Sequence, residues 1–319
     1  VIGAVSLSSI PFAPAPTPVE ELPRLRAALG GGPRLLVKRD DAIGFAFGGN
    51  KVRKLRLVAA DALAKGADTL ITSGGVQSNH ARVTAAAAAK LGLRAILVAN
   101  GAPPETPRAN ALLDRLLGAE VRYVGTRDER ASAMEDAAAS ERSAGRNPYI
   151  IPVGASTPLG AAAFVQAIEE LLQQMPPPDV IVHSSSSGGT QAGLVAGCAL
   201  SGIHTRVLGI SADDSRQGLS AVVRDLVDGV ADLVGVDRSR VANAAIEVDD
   251  GFVGGGYGVP TDESREAIAL LARTEALFLD PTYTAKAMAG LIAHVRRGAF
   301  EPTDTILFWH TGGQVALFA

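Results

Sequence analysis

Along most of the chain, short continuous apolar runs alternate with longer stretches in which apolar positions recur every three or four residues. The first kind reads as strand buried on both faces, the second as helix packed by one side. Val52, Leu55, Ala59 and Leu63 repeat at helical spacing up to Lys65. A buried strand then covers Thr69 to Thr72, the polar loop SGGVQSNH follows, an alanine-rich helix runs from Ala81 to Leu91, and RAILVA makes the next strand. Parallel strands joined by helices in this way form an open α/β sheet, which takes its ligands at the carboxyl ends of the strands.

The alternation extends in both directions. Before it, Pro11, Pro14, Pro16 and Pro18 stiffen an extended arm, a short helix is predicted around Glu20 to Leu29, and RLLVK (Arg34 to Lys38) reads as a strand. After it come a helix near Pro107 to Leu117, a strand at Val121, a charged helix from Arg127 to about Ser143, and the strand YIIPV. A helix from Leu159 to Gln174 is stopped by Pro176 to Pro178, which no helix tolerates, and the strand DVIVH begins at Asp179. SSSSGGTQAG leads into a small-residue helix ending at Leu200, then come the strand RVLGI and a long helix through Leu226. The glycine-rich stretch Gly251 to Gly258, two more helical stretches and the strand TILFWH complete the chain. No fixed-period repeat interrupts the pattern.

Composition narrows the function classes. The length of 319 residues fits two domains or one large α/β unit. The net charge of −3 offers no basic field for nucleic acid, so no nucleic-acid role is assigned. No apolar run has the length of a membrane span, and the start lacks the basic residues that open a signal peptide. Cys198 is the only cysteine, which excludes an intrachain disulfide and fits a cytoplasmic setting. The histidines lie too far apart for the spacing of a zinc site, so no metal is expected.

The stretch FGGNKVRKL carries the sharpest chemistry. Two glycines and an asparagine hold Lys51 where a loop turns into a helix, next to backbone that can approach a ligand closely. Crowding by Arg53 and Lys54 would disfavour its ammonium form, and a free amine condenses with a carbonyl. The bland reading of the same residues is a solvated lysine. Ser187, Gly188, Gly189 and Thr190 lie between a strand and a helix, as a backbone cradle for phosphate would, although without the lysine of a P-loop; a plain turn has the same pattern. Ser78 and Asn79 sit at a helix start, where they could meet a ligand carboxylate or serve only as an N-cap, and His80 is either an acid/base group or a structural histidine.

Taken in order, FGGNK, GGVQSNH, the Ser/Gly-Gly-Thr loop, GGGYG, DPTYTAKAM and HTGG resemble the pyridoxal-phosphate enzymes of fold type II. Within that group the chain is similar to the branch of D-cysteine desulfhydrase and 1-aminocyclopropane-1-carboxylate deaminase, from about Thr17 to Phe318. The resemblance implies two open, mostly parallel sheets covered by helices. A small α/β domain would span 52–159, a large cofactor-binding domain 1–51 and 160–319, and a homodimer is expected. It implies pyridoxal 5′-phosphate as cofactor and Lys51 as the Schiff-base lysine. It further implies Asn79 at the cofactor ring hydroxyl, Ser78 at the substrate carboxylate or as proton carrier with Asn79 and His80 beside it, and Ser187 to Thr190 at the phosphate. Tyr257 and Tyr283 match two active-site tyrosines. The family has Gly where Ser186 stands, which puts the outer turn of the phosphate loop in question.

Two positions separate the activities of that branch. The cyclopropane deaminases resemble this chain but carry Glu and Leu where Thr284 and Thr311 stand, and the desulfhydrases carry Thr at both. A neutral hydroxyl near the pyridine nitrogen makes the ring a weaker electron sink, which suffices when thiolate leaves readily. The resemblance therefore implies a carbon–sulfur lyase converting D-cysteine to pyruvate, ammonia and sulfide. The alternatives are cyclopropane deamination, an L-cysteate sulfo-lyase, and a catalytically silent carrier of the cofactor.

Overall fold

A computed structural model describes residues 7–319, so the first six residues of the predicted arm lie outside the described residues. In chain order the elements are β1 (Val19–Glu21), α1 (Pro23–Ala28), β2 (Arg34–Arg39), α2 (Asn50–Ala64), β3 (Thr69–Gly75), α3 (Asn79–Leu91) and β4 (Arg94–Asn100). There follow α4 (Ala109–Leu116), β5 (Glu120–Val124), α5 (Glu129–Ser143), β6 (Pro148–Ile151), α6 (Pro158–Gln174), β7 (Val180–Ser185) and α7 (Gly189–Leu200). The chain ends with β8 (Arg206–Ser211), α8 (Arg216–Leu233), α9 (Ser239–Ala242), β9 (Glu247–Asp249), α10 (Asp262–Glu275), α11 (Thr284–Arg296) and β10 (Thr305–His310).

Two sheets result, a six-stranded one in the order β1-β2-β10-β7-β8-β9 and a four-stranded one in the order β5-β4-β3-β6. Every pairing is parallel except β1 with β2. The continuous apolar runs are what a sheet covered on both faces needs. Along β2, Leu36 enters one core while Leu35 and Val37 enter the other, and along β10 Leu307 and Trp309 part from Ile306 and Phe308 in the same way. The smaller sheet repeats the device, with Leu70 and Leu97 facing α2 and α3, and Ile71, Ile96 and Val98 facing α5.

Two predicted elements differ from those observed. The helix expected from Glu20 instead follows β1, because Pro23 suits the first helical turn and Val19 to Glu21 pair antiparallel with Lys38 to Leu36. The long helix α8 runs past Leu226 to Leu233, with Val227, Val230 and Ala231 buried along its inner face.

A buried charge network fixes α2 to the larger sheet. Arg53 donates to both oxygens of Asp40 (2.9 and 2.8 Å) and to both oxygens of Glu170 on α6 (2.9 Å each). Lys38 Nζ donates to Glu170 (2.6 Å), and Trp309 Nε1 to Asp40 (2.8 Å). The two cations beside Glu170 outweigh its burial and hold its carboxyl down at about 2, against an ordinary value of 4.5. A carboxyl with a depressed value contributes stability that is fully present above 4.5 and lost as the pH falls toward 2. Glu170→Gln is expected to lower the melting temperature by several degrees at pH 7, with the gap to the unmodified protein closing between pH 4.5 and 2. A gap that stays constant over that window would contradict this role.

Candidate active site

A cleft opens at the carboxyl ends of β3, β7 and β10 and receives the first turn of α2. All the predicted site residues line it except Gly189 and Thr284. The loop before α2 is fixed by close backbone contact. Gly49 has φ of +103°, a Cβ there would lie 2.9 Å from the Thr311 carbonyl oxygen, and Asn50 N donates to that same oxygen (3.0 Å). Side chains are excluded from this crossing, which explains the paired glycines of FGGN and HTGG.

Lys51 enters the cleft with its Nζ 3.4 Å from the Gly154 carbonyl oxygen, and no carboxylate pairs with it among the described residues. Burial pulls its pKa down to about 8. The expected crowding is only half right. Arg53 turns to the charge network behind the helix, and Lys54 is the second amine at the site: fully buried, 3.1 Å from the Gly154 oxygen, and shifted down by burial and then by Lys51. A Cβ on Gly189 would meet Lys54 Nζ at 2.8 Å, so Lys54 lies against the start of α7. Sequence reading missed it as a site residue, although its place three positions after Lys51 put both on one side of the helix.

The serine loop after β7 faces these amines. Ser184 and Ser185 carry buried hydroxyls without a hydrogen-bond partner, and both line the cleft. Ser187 Oγ accepts from Ser156 Oγ (2.7 Å), and Thr190 Oγ1 accepts from Asn50 Nδ2 (3.0 Å). Unpaired hydroxyls, the Lys54 amine without a carboxylate partner among the described residues, and the positive end of α7 are jointly a site for an anion, and they fit the phosphate of the cofactor.

Across the cleft, Ser78 caps α3, its Oγ accepting from Ala81 N (3.2 Å). Asn79 is oriented by its neighbours: Arg82 Nη1 (3.0 Å) and Asn110 Nδ2 (2.9 Å) both donate to its Oδ1. Its amide N–H₂ is thereby left to donate into the site. Thr72 gives its hydroxyl proton to the Ile151 carbonyl (2.7 Å), so it accepts from His80 Nε2 (2.8 Å), and the neutral ring keeps a buried, unpartnered Nδ1. Burial, with help from both lysines, holds His80 well below its ordinary pKa and excludes a charged acid role near neutrality.

The outer wall carries Tyr257 and Tyr283, whose hydroxyls are 2.5 Å apart. Burial raises both pKa values, Tyr283's far above 10, so both phenols hold their protons. Thr311 lines the cleft, whereas Thr284 is fully buried behind it, donating to Asp280 Oδ1 (2.7 Å) and accepting from Asp280 N (2.8 Å).

In cofactor-free protein, the lowered pKa of Lys51 predicts acylation with a pH midpoint near 8, well below the 10.5 of an ordinary lysine. Peptide mapping of labelled Lys51 across pH 6 to 11 checks this. A midpoint above 10 would remove the buried-amine argument.

Comparison with known proteins agrees with this geometry. The family described as pyridoxal-phosphate dependent enzyme matches residues 10–312. The chain is 43% identical to a 1-aminocyclopropane-1-carboxylate deaminase of Burkholderia vietnamiensis (strain G4 / LMG 22486), covering 97% of this chain and 95% of that protein. It is 41% identical to the protein of the same name from Rhizobium leguminosarum bv. viciae, over 96% and 94%. Among solved structures, an ACC deaminase homologue superposes with a TM-score of 0.91 at 38% identity, covering 98% of this chain and 94% of that one. A pyridoxal 5′-phosphate-dependent aspartate racemase (TM-score 0.70, 19% identity, 93% of this chain and 90% of that one) shares the fold. The chain therefore belongs to the pyridoxal-phosphate dependent enzymes of fold type II, among the homologues of 1-aminocyclopropane-1-carboxylate deaminase.

Proposed function

We propose that this enzyme is a deaminating lyase that converts a small amino acid to a 2-oxo acid and ammonia, by α,β-elimination from a substrate with a β leaving group, D-cysteine first. The observation that carries the reading is the neutral Thr311 hydroxyl at the cleft wall, together with a Thr284 hydroxyl committed to Asp280. The family's cyclopropane deaminases, by contrast, have Glu at the second of these positions. The names of the curated relatives favour a second reading, 1-aminocyclopropane-1-carboxylate deamination, and both reactions would use the same residues.

Pyridoxal phosphate, when bound, supplies an electron sink that stabilises negative charge at the substrate α-carbon. Lys51 is the amine that condenses with a carbonyl and, once released, the base that takes the α-proton at Nζ. A pKa near 8 keeps a usable fraction of it unprotonated at neutral pH. Lys54 and the start of α7 would hold the phosphate, and the Asn79 amide would donate to the ring hydroxyl. The α3 N-terminus at Ser78 would take the substrate carboxylate. Because the tyrosine pair stays protonated, its role is to donate to the leaving group rather than to abstract a proton.

Two measurements test the proposal. Lys54→Met is expected to weaken pyridoxal phosphate binding by roughly tenfold to a hundredfold, the size of one charge-assisted hydrogen bond, and to change pyridoxal binding far less. Equal losses for both would remove Lys54 from the phosphate site. The second assays 2-oxo acid from D-cysteine, L-cysteine, β-chloro-D-alanine and 1-aminocyclopropane-1-carboxylate. β-Chloro-D-alanine and D-cysteine should be consumed and the cyclopropane left nearly intact. Cyclopropane turnover equal to that of D-cysteine would transfer the function to the second reading.

A further inference from the structure

The lysine of DPTYTAKAM has no part in the chemistry described above, and main chain alone holds its charge. Lys286 lies in the first turn of α11 and is fully buried. Its Nζ donates to three main-chain oxygens, those of Val253 (2.8 Å), Gly256 (2.8 Å) and Ala212 (3.0 Å). No carboxylate pairs with it among the described residues, and Asp213 and Asp280 act on it only from farther away. An ammonium group has three hydrogens and each here meets one carbonyl, whereas a neutral amine would turn its lone pair toward one of the oxygens. The cage therefore selects the charged form. Helix preference does not account for the position, because a cation in the first turn opposes the helix dipole.

The three oxygens belong to two walls of the cleft. Ala212 follows β8 and precedes Asp213, which lines the cleft. Val253 and Gly256 belong to the glycine-rich loop that carries Tyr257, and α11 is entered through Tyr283. That loop is weakly held by its own bonds. None of residues 251–258 is fully buried, and Gly254, Gly256 and Gly258 have φ of +61°, +113° and +74°. The backbone bonds from Val253, Gly256 and Val259 to the residues three before them are 3.3 to 3.4 Å long. Tyr257 nevertheless meets Tyr283 with 2.5 Å between the hydroxyls. A glycine-rich loop with such bonds opens easily unless a further contact fixes it, and the Lys286 ammonium fixes two of its carbonyls against α11.

We propose that Lys286 is a positioning residue whose ammonium takes the place of a bound monovalent cation: it gathers three main-chain oxygens and so holds the Tyr257 phenol against Tyr283 at the cleft. Its consequence for catalysis rests on the elimination reading above, in which the tyrosine pair donates to the leaving group; the cage itself does not. Carbonyl oxygens serve metal cations in the same way, by replacing their shell of water. Truncating the side chain to alanine would leave a space faced by the three oxygens and open to potassium or ammonium. Methionine fills that space and brings neither charge nor N–H donor.

The test is amide hydrogen exchange across residues 250–259 of the holoenzyme. Lys286→Met and Lys286→Ala are compared with the unmodified protein in tetramethylammonium, potassium and ammonium chloride at equal ionic strength. In the tetramethylammonium salt, exchange in this segment is expected to be about tenfold faster in both variants, with α3 unchanged. Potassium or ammonium should slow it again by roughly threefold or more in Lys286→Ala, and should change neither Lys286→Met nor the unmodified protein. Recovery of cofactor absorbance by either cation in a Lys286→Ala protein that folds poorly without it counts the same way. Unchanged exchange in both variants, or a Lys286→Ala protein that neither cation repairs, would overturn the inference. Lys286→Met is further expected to slow D-cysteine elimination about as much as Tyr257→Phe, with no added loss in the double variant, and additive losses would overturn the link to Tyr257. Elimination from D-cysteine without the exchange and salt pattern sinks only this inference. The pattern without elimination from any amino acid sinks only the elimination reading.

Discussion

The position of one helix governs the rest of the molecule, and a buried ion cluster governs that helix. Arg53 on α2 binds Asp40 from the segment after β2 and Glu170 on α6, and Asp40 in turn accepts from the indole of Trp309 on β10. As a whole such a cluster adds little stability over an apolar replacement, because withdrawing the charges from water costs about as much as their attraction returns. Removing a single member is nevertheless costly, since it leaves its partner unpaired. The effect of the whole is on register. An α2 displaced by one residue would bury the Arg53 guanidinium without Asp40 and leave the Asp40 carboxylate with only the indole and the Thr17 hydroxyl. On a helix, Arg53 points roughly 200° away from Lys51. Fixing the one arginine that turns away from the cleft thus aims Lys51 into it and sets Lys54 against the start of α7.

The two lysines illustrate how burial is put to opposite uses. Both lie in the same enclosed space with the Gly154 carbonyl as their shared protein partner, and both have lowered pKa values. On the proposed function, the lowered pKa of Lys51 is what lets it lose its proton and react. Lys54 lies against Gly189 at the positive end of α7, and a multiply charged phosphate placed there would restore its charged form. Cofactor binding and the charge state of Lys54 are therefore linked, and binding of the anion should take up a proton wherever Lys54 is neutral beforehand.

Much of this organisation was legible in the sequence because it rests on local patterns. Strand and helix periodicity placed β3, α3, β4, β7 and α7, and the strand-to-helix loops after β3 and β7 identified the walls of the cleft. What escaped depends on contacts between distant segments. β1 and β9 are three residues each, too short to carry a period. Helical phase separates Arg53 from Lys54, but the partners that Arg53 meets, Asp40 and Glu170, lie far from it in sequence. Arg82 and Asn110, which orient Asn79, come from the next turn of α3 and from α4, and nothing in either segment alone points to that contact.

Thr284 is where sequence reasoning and structure diverge most usefully. The contrast between Thr and Glu at this position suggests a side chain facing the cofactor ring, yet Thr284 gives its hydroxyl proton to Asp280 and receives the Asp280 N–H in return. Asp280 is itself buried, held by N–H groups of Thr282, Tyr283 and Thr284, and burial still raises its pKa. A carboxylate introduced at position 284 would meet this acid at close range in a medium that tolerates two negative charges poorly, so one of the pair would take up a proton. A Glu here would require the surroundings of Asp280 to be rebuilt along with it. The Thr284–Asp280 pair is thus a coupled unit, so on the proposed function a change at either threonine has to be judged together with Asp280.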